Sequence, residues 1–287
     1  MYSLKNVLEY CFVKIYFNLS KLIGLKLSSD FGGVIFKFYG IFSNRNIIAH
    51  KNIKKVFPNF STKERKILIK KMWEHFGRVV GEYPHLDSID VFKNRNVKII
   101  GIENLLSSLK LNKCCLFFSA HIGNWEITSH PLTKSGYKIW FIYRAPNNVL
   151  VDKLLRKIRR NYGVELIKKG PEGAKECIKI LKNEHGNIGM LIDQKMNDGI
   201  DSKFFGFDVK TASAIAKFSL KYNYPILPAF CYREDGINLV IKYFPEISVK
   251  KIKNLKTEKK IMNHLNSYVE SWIKERPEQW IWIHNRF

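Results

Sequence analysis

The sequence predicts an α/β protein: a central mixed sheet flanked by helices, preceded by an N-terminal membrane-associating helical segment. Three observations point there. From residue 96 onward, short β-rich runs alternate with helical ones, the pattern of α/β layers around a sheet. Ahead of residue 96 the chain has amphipathic helical periodicity. Length and an apolar content of 46% over 287 residues supply a full core and exclude wholesale disorder.

The first stretch, "VLEYCFVKIYFNLSKLIGLKL" at 7–27, reads as a helix. Lys14, Asn18 and Lys21 fall on one face, while Phe12, Val13, Ile15, Tyr16, Phe17, Leu19, Leu22 and Ile23 cover most of the rest. No charge-free run reaches the roughly 18–20 residues of a clean spanning helix. Three placements stay open. The helix lies in the membrane interface with its lysines at the headgroups, spans with lysine snorkelling, or docks on its own domain. No signal peptide with a small-residue cleavage site is expected. A composition shift near residue 45 divides the chain into a membrane-associating segment, 1–45, and an α/β body, 46–287.

The body opens with a polar helical segment through "NIIAHKNIKKVFP", stopped by Pro58. A second helix begins at Ser61 or Thr62 as N-cap with Glu64 in its first turn, reads as amphipathic from apolar residues recurring at Ile67, Met72, Phe76, Val79 and Val80, and ends at Pro84. "VKII", "CCLFFSA" and "YKIWFIYR" read as strands, and "NVLVDKLLRKIRRNYG" as a helix ending at Gly163. "VELIKK" is a strand, and a helix runs from Pro171 to Gly186. "NIGMLID" is a strand, "DGIDS" at 198–202 a turn, and Thr211 the cap of the helix "ASAIAKFSLKY". Strands "PILPAFCYR" and "NLVIKYFPEI" and a helix over "TEKKIMNHLNSYVESWIKERP" close the chain.

Charge and cysteines narrow the function classes. With 49 Lys+Arg against 25 Asp+Glu the chain carries a net +24, which suits an anionic partner: nucleic acid, a membrane surface or an acidic substrate. The lysines are spread evenly, with no dense basic tail. Five cysteines, at 11, 114, 115, 177 and 231, form no C-x-x-C, so a disulfide framework or structural zinc is not expected and reduced thiols are. No metal ligands and no cofactor are read from the residues.

The chemistry concentrates in "HIGNWE". His121 follows the strand "CCLFFSA", at a carboxyl end of the sheet, where open α/β sheets bind ligands. Gly123 allows a tight turn, and Glu126 enters the first turn of the next helix, where the dipole favours its ionised form. The chain between folds so that Glu126 faces the imidazole, fixing one tautomer and stabilising imidazolium. A base with an orienting carboxylate, and no Ser or Cys beside it, implies that a substrate hydroxyl is the nucleophile.

"HIGNWE" resembles the H-x-x-x-x-D/E motif of acyltransferases acting on lipid hydroxyls, and its wording is similar to the lipid A lauroyl/myristoyl acyltransferases of Gram-negative bacteria. Further blocks resemble that family in order: "YRAPNN", "LLRKIRRNYG", "MLIDQKMNDGI", "FFG" with Thr211 beyond, and "PEQWIWIHNRF", over about residues 50–287. The resemblance implies an acyltransferase-like fold and a catalytic dyad of His121 and Glu126. It also implies substrate-binding roles for Arg159, Asp193 and Arg144, with Arg160 and Gln194 as competing neighbours of the first two. It implies transfer of a fatty acyl chain from acyl carrier protein to a hydroxyl of a lipid A precursor, an anionic glycolipid. This would take place on the cytoplasmic face of the inner membrane, without nucleic acid. The alternative acceptors are a lysophospholipid or another glycolipid; a binding module that only uses the basic surface is the non-enzymatic alternative.

Overall fold

The computed structural model describes residues 3–112, 114–184 and 186–287. Its N-terminal third is helical. Helix α1 (Leu4–Ile41) is capped by the Ser3 side chain and broken once at Gly24, where φ is 82° and ψ is 165°. It therefore continues well past the expected end near residue 27. Helices α2 (Asn46–Val56) and α3 (Thr62–Glu82) follow. In α3 the Ser61 side chain accepts from Glu64 N while the Glu64 carboxylate accepts from Ser61 N, a reciprocal cap that satisfies two otherwise orphaned donors.

Helix α1 is inside-out relative to a water-soluble helix. The residues it buries are mostly small: Ser20, Ser28, Ser29, Gly32, Gly33 and Gly40, with Phe17 the one large exception. Gly32 and Gly77 of α3 meet backbone to backbone; a Cβ on either would strike the other's carbonyl. Large apolar side chains face outward instead, among them Phe12, Leu22, Phe31, Phe38 and Phe42. Among the described residues no helix is long and apolar enough to cross a membrane.

The body then alternates: β1 (Val97–Ile100), α4 (Ile102–Leu111), β2 (Leu116–Ser119), α5 (His130–Lys134), β3 (Ile139–Tyr143), α6 (Val149–Asn161), β4 (Val164–Lys168), α7 (Pro171–Lys179) and β5 (Asn187–Leu191). Next come β6 (Lys195–Phe204), β7 (Phe207–Thr211), α8 (Ala214–Tyr222), β8 (Ile226–Asp235), β9 (Asn238–Tyr243), α9 (Val249–Leu255) and α10 (Glu258–Glu275). Seven strands form one sheet in the order β1-β9-β8-β2-β5-β3-β4. All neighbours are parallel except the β8–β9 hairpin, so the sheet is mixed. Side chains alternate across it. Leu116, Phe118, Ile188 and Phe230 pack with Trp272 on one face; Phe117, Leu227, Ala229 and Ile241 pack on the other.

Three expectations need correction. "DGIDS" belongs to β6, which pairs with β7 through Asp201↔Lys210 and Ser202↔Val209; a bulge between Lys195 and Ile200 absorbs the Asn-Asp-Gly that imitates a turn. Thr211 does not cap α8, whose N-cap is Ser213; its hydroxyl instead accepts from Ser202 and from Arg286. The helix expected to reach Gly186 is regular only to Lys179 and continues as a wider turn over Ile180–Glu184; position 185 lies outside the described residues.

His130 gives the fold a pH signature. It is fully buried, its Nε2 donates to the Leu86 carbonyl at 2.8 Å, and its Nδ1 is buried without a partner. Burial, helped by Lys134 and opposed by the Leu86 carbonyl and Glu126, lowers its pKa from 6.5 to about 4. The unfolded chain takes the proton first, so His130's contribution is complete above pH 6.5 and is lost as the pH falls toward 4. The expected loss is on the order of 3 kcal/mol. Urea melts at about pH 7 and about pH 4.5 measure it, and His130→Gln, which keeps a donor for Leu86, should show the shallower fall.

Candidate active site

Strands β2 and β5 run parallel with Ser119 opposite Leu191, and the pairing continues as Ile192 N donates to Ser119 O. Two residues past the last pair, His121 and Asp193 stand side by side at the carboxyl ends. His121 N donates to Asp193 Oδ2 at 3.0 Å, and His121 Nδ1 to Oδ1 at 2.9 Å. Trp280 Nε1 adds a third donor to Oδ2 at 2.8 Å. Asp193 is fully buried. Burial alone would raise its pKa; the imidazole beside it and the donors from His121 and Trp280 outweigh that and hold it down to about 2. An ionised Asp193 fixes the Nδ1–H tautomer and leaves the Nε2 lone pair facing outward. Gln194 Nε2 lies 3.3 Å from that lone pair. The ring is one-fifth exposed and packs against Trp125, with centroids 5.2 Å apart, and against His284 at 6.0 Å.

The loop carrying His121 is held on both sides. Ile281 N donates to His121 O, Gly123 N donates to Gln279 O, and Ile122 bridges to Trp280, so the C-terminal segment splints it. Gly123 has φ 59° and sits so close to the Cys231 carbonyl that a Cβ would collide. Asn124 Nδ2 donates to Glu82 Oε2 at 2.7 Å. Glu82 itself is buried. It pairs fork to fork with Arg233, Nη1–Oε1 at 2.7 Å and Nη2–Oε2 at 2.8 Å, and accepts from Ser29 of α1.

Glu126 does not face the imidazole. Its carboxylate receives the Arg159 guanidinium, Nε to Oε2 at 2.9 Å and Nη2 to Oε1 at 2.6 Å, and the Tyr162 hydroxyl at 3.3 Å. The orienting contact expected of Glu126 is made by Asp193. The reason is strand register: the parallel neighbour delivers Asp193 level with His121, while both Glu126 oxygens are taken by α6. Burial would raise the Glu126 pKa, but Arg159, Tyr162 and Trp125 lower it below the usual value. Of the competing neighbours, Arg159 enters this site and Arg160 turns outward to Glu165. Arg144 is exposed on the β3–α6 loop and makes no hydrogen bond or ion pair among the described residues. A cleft lined by Trp125, Glu126, Arg159, Tyr162, Phe141 and Leu166 runs beside the pair. Trp125, part of its lining, also packs against the His121 ring.

The site also holds residues the sequence reading passed over: Trp280, His284, Tyr162 and the Glu82–Arg233 pair. A signal existed for three of them, Trp280, His284 and Glu82. "WIWIHNRF" is too aromatic for a surface tail, and Glu82 interrupts an apolar helix face.

Two outcomes follow. Asp193→Asn keeps the shape but lets the tautomer flip, so a base-catalysed transfer should slow by about 100- to 10,000-fold with the melting curve nearly unchanged. Steady-state turnover beside a thermal melt checks it. Glu126→Gln or Arg159→Met alone strands a largely buried charge and should cost about 3–5 kcal/mol, with the double variant costing less than the sum. Urea titration of the four proteins closes the cycle.

No curated protein matches the chain. The family model described as bacterial lipid A biosynthesis acyltransferase matches residues 5–287, taking in the His121 loop, Asp193 and the C-terminal splint. With that match over nearly the whole length, the chain belongs to the bacterial lipid A biosynthesis acyltransferase family and is an acyltransferase.

Proposed function

We propose that the protein transfers a fatty acyl chain from acyl carrier protein to a hydroxyl of a lipid A precursor, working on the cytoplasmic face of the inner membrane. The observation that carries this reading is the hydrogen bond between His121 and the buried Asp193, with an outward Nε2 lone pair and no serine, threonine or cysteine bonded to the ring among the described residues. The nucleophile is then the acceptor hydroxyl. Nε2 takes its proton as the oxygen attacks the thioester carbonyl, and ionised Asp193 stabilises the imidazolium. The tetrahedral oxyanion collapses, the carrier thiolate leaves, and the imidazolium returns the proton to sulfur.

The roles divide accordingly. His121 is the base, and Asp193 orients it. Glu126 fixes Arg159 at the cleft, where the guanidinium meets the substrate. Phe141 and Leu166 offer the acyl chain an apolar wall. Arg144, exposed and unpaired among the described residues, is placed to meet an acidic group of the acceptor. The net charge of +24 favours both an acidic carrier protein and an anionic glycolipid. The outward apolar face of α1 supports attachment by lying in the bilayer interface, with residues 1–45 as the membrane-associating segment.

The test incubates purified protein with carrier proteins loaded with chains of several lengths and a tetra-acylated lipid A precursor, a lysophospholipid serving as the competing acceptor. Mass spectrometry should show one acyl mass added to the lipid A precursor, and none with His121→Ala. Acylation of the lysophospholipid alone would overturn the assignment. Flotation with anionic vesicles reads the membrane arm: Phe31→Glu with Phe38→Glu should reduce binding at least about tenfold, since each buried phenyl is worth roughly 1.5–3 kcal/mol.

A further inference from the structure

His284 stands apart from the reading above. Its Nε2 is buried and has no hydrogen-bond partner. Its ring lies 6.0 Å from that of His121, tilted by 78°. One ligand atom each from His121, Asp193 and His284 falls within 4.8 Å of the other two. We propose that these three residues bind a single divalent transition-metal ion of the zinc class, and that the bound ion disables the catalytic base.

The donor set is two imidazole nitrogens and one carboxylate oxygen, a set that zinc accepts with a water in the fourth position. Zinc–nitrogen and zinc–oxygen bonds of about 2.0–2.2 Å put tetrahedral ligand atoms roughly 3.3 Å apart. His121 Nδ1 and Asp193 Oδ1 are already 2.9 Å apart, and with all three ligand atoms within 4.8 Å of one another the set has only to contract around the ion. Asp193 divides its oxygens suitably. Oδ2 keeps its bonds from His121 N and Trp280 Nε1, which fix the carboxylate, while Oδ1 is bonded only by the Nδ1–H that the metal replaces.

The proton bookkeeping gives the consequence. Neutral imidazole bears its proton on Nδ1. A metal on Nδ1 moves that proton to Nε2 through solvent, with no net change in protons. Nε2 then has a hydrogen where it had a lone pair, and it donates where it must accept. The inhibition rests on His121 being the base; the metal site itself does not.

The experiment titrates cobalt(II), a spectroscopic stand-in for zinc, into tag-free protein. Wild type should give the visible bands of tetrahedral cobalt at one equivalent, bleached by zinc. His284→Ala should lose them, and so should His284→Phe, which refills the space in case the smaller variant packs poorly. The loss of zinc affinity should exceed the roughly 10- to 100-fold typical of an outer-shell partner. Zinc should also inhibit wild-type acyl transfer. Absence of tetrahedral bands in folded wild type, bands unchanged in both His284 variants, or cobalt–thiolate absorption from exposed Cys11 would each overturn the site. If no transfer is found with any acceptor, the cobalt titration still decides the metal site, so the two readings fail separately.

Discussion

The parallel pairing of β2 and β5 is the constraint on which the rest depends. It sets Ser119 opposite Leu191, and the two chains leave the sheet in step. Everything at the active site inherits that register. A slip of one residue would turn Asp193 to the opposite face and leave His121 without its carboxylate. The slip is blocked by the core itself, because Phe117 and Phe118 occupy opposite faces and cannot exchange them cheaply.

Much of this was legible in the sequence, and the failures have physical causes. The strands of the main sheet announced themselves as short apolar runs because both of their faces are buried. The β6–β7 hairpin did not, because its exposed strand is rich in polar residues and a bulge carries Asn-Asp-Gly. His121, Glu126, Arg159 and Asp193 were all picked out, yet their partnership was misjudged. Spacing along the chain favoured Glu126 as the imidazole's partner. Space favoured Asp193, 72 residues away, because adjacent parallel strands erase sequence distance. Two strand ends each carrying an ionisable residue just past the last apolar position were the available clue. The order of the sheet was not readable, so the clue could not be used.

Helix α1 was legible in composition but not in orientation. Its serines and glycines look unremarkable in a list, and composition left three placements of its apolar residues open. The structure packs the small residues on α3, where the close crossing admits little else, and leaves most of the large apolar ones outside. The large apolar side chains left outside, Phe12, Leu22, Phe31 and Phe38 among them, are what the proposed attachment rests on.

The Glu82–Arg233 pair has a consequence for how such a chain can change over generations. It joins α1, α3, the His121 loop and β8 through one carboxylate, and its members are 151 positions apart in the sequence. A lineage that alters either one alone must pass through a protein with a lone charge sealed in its interior. The two positions are therefore expected to stay fixed or to be replaced together, and the helices they fasten are inherited as a unit with the chemistry beneath them.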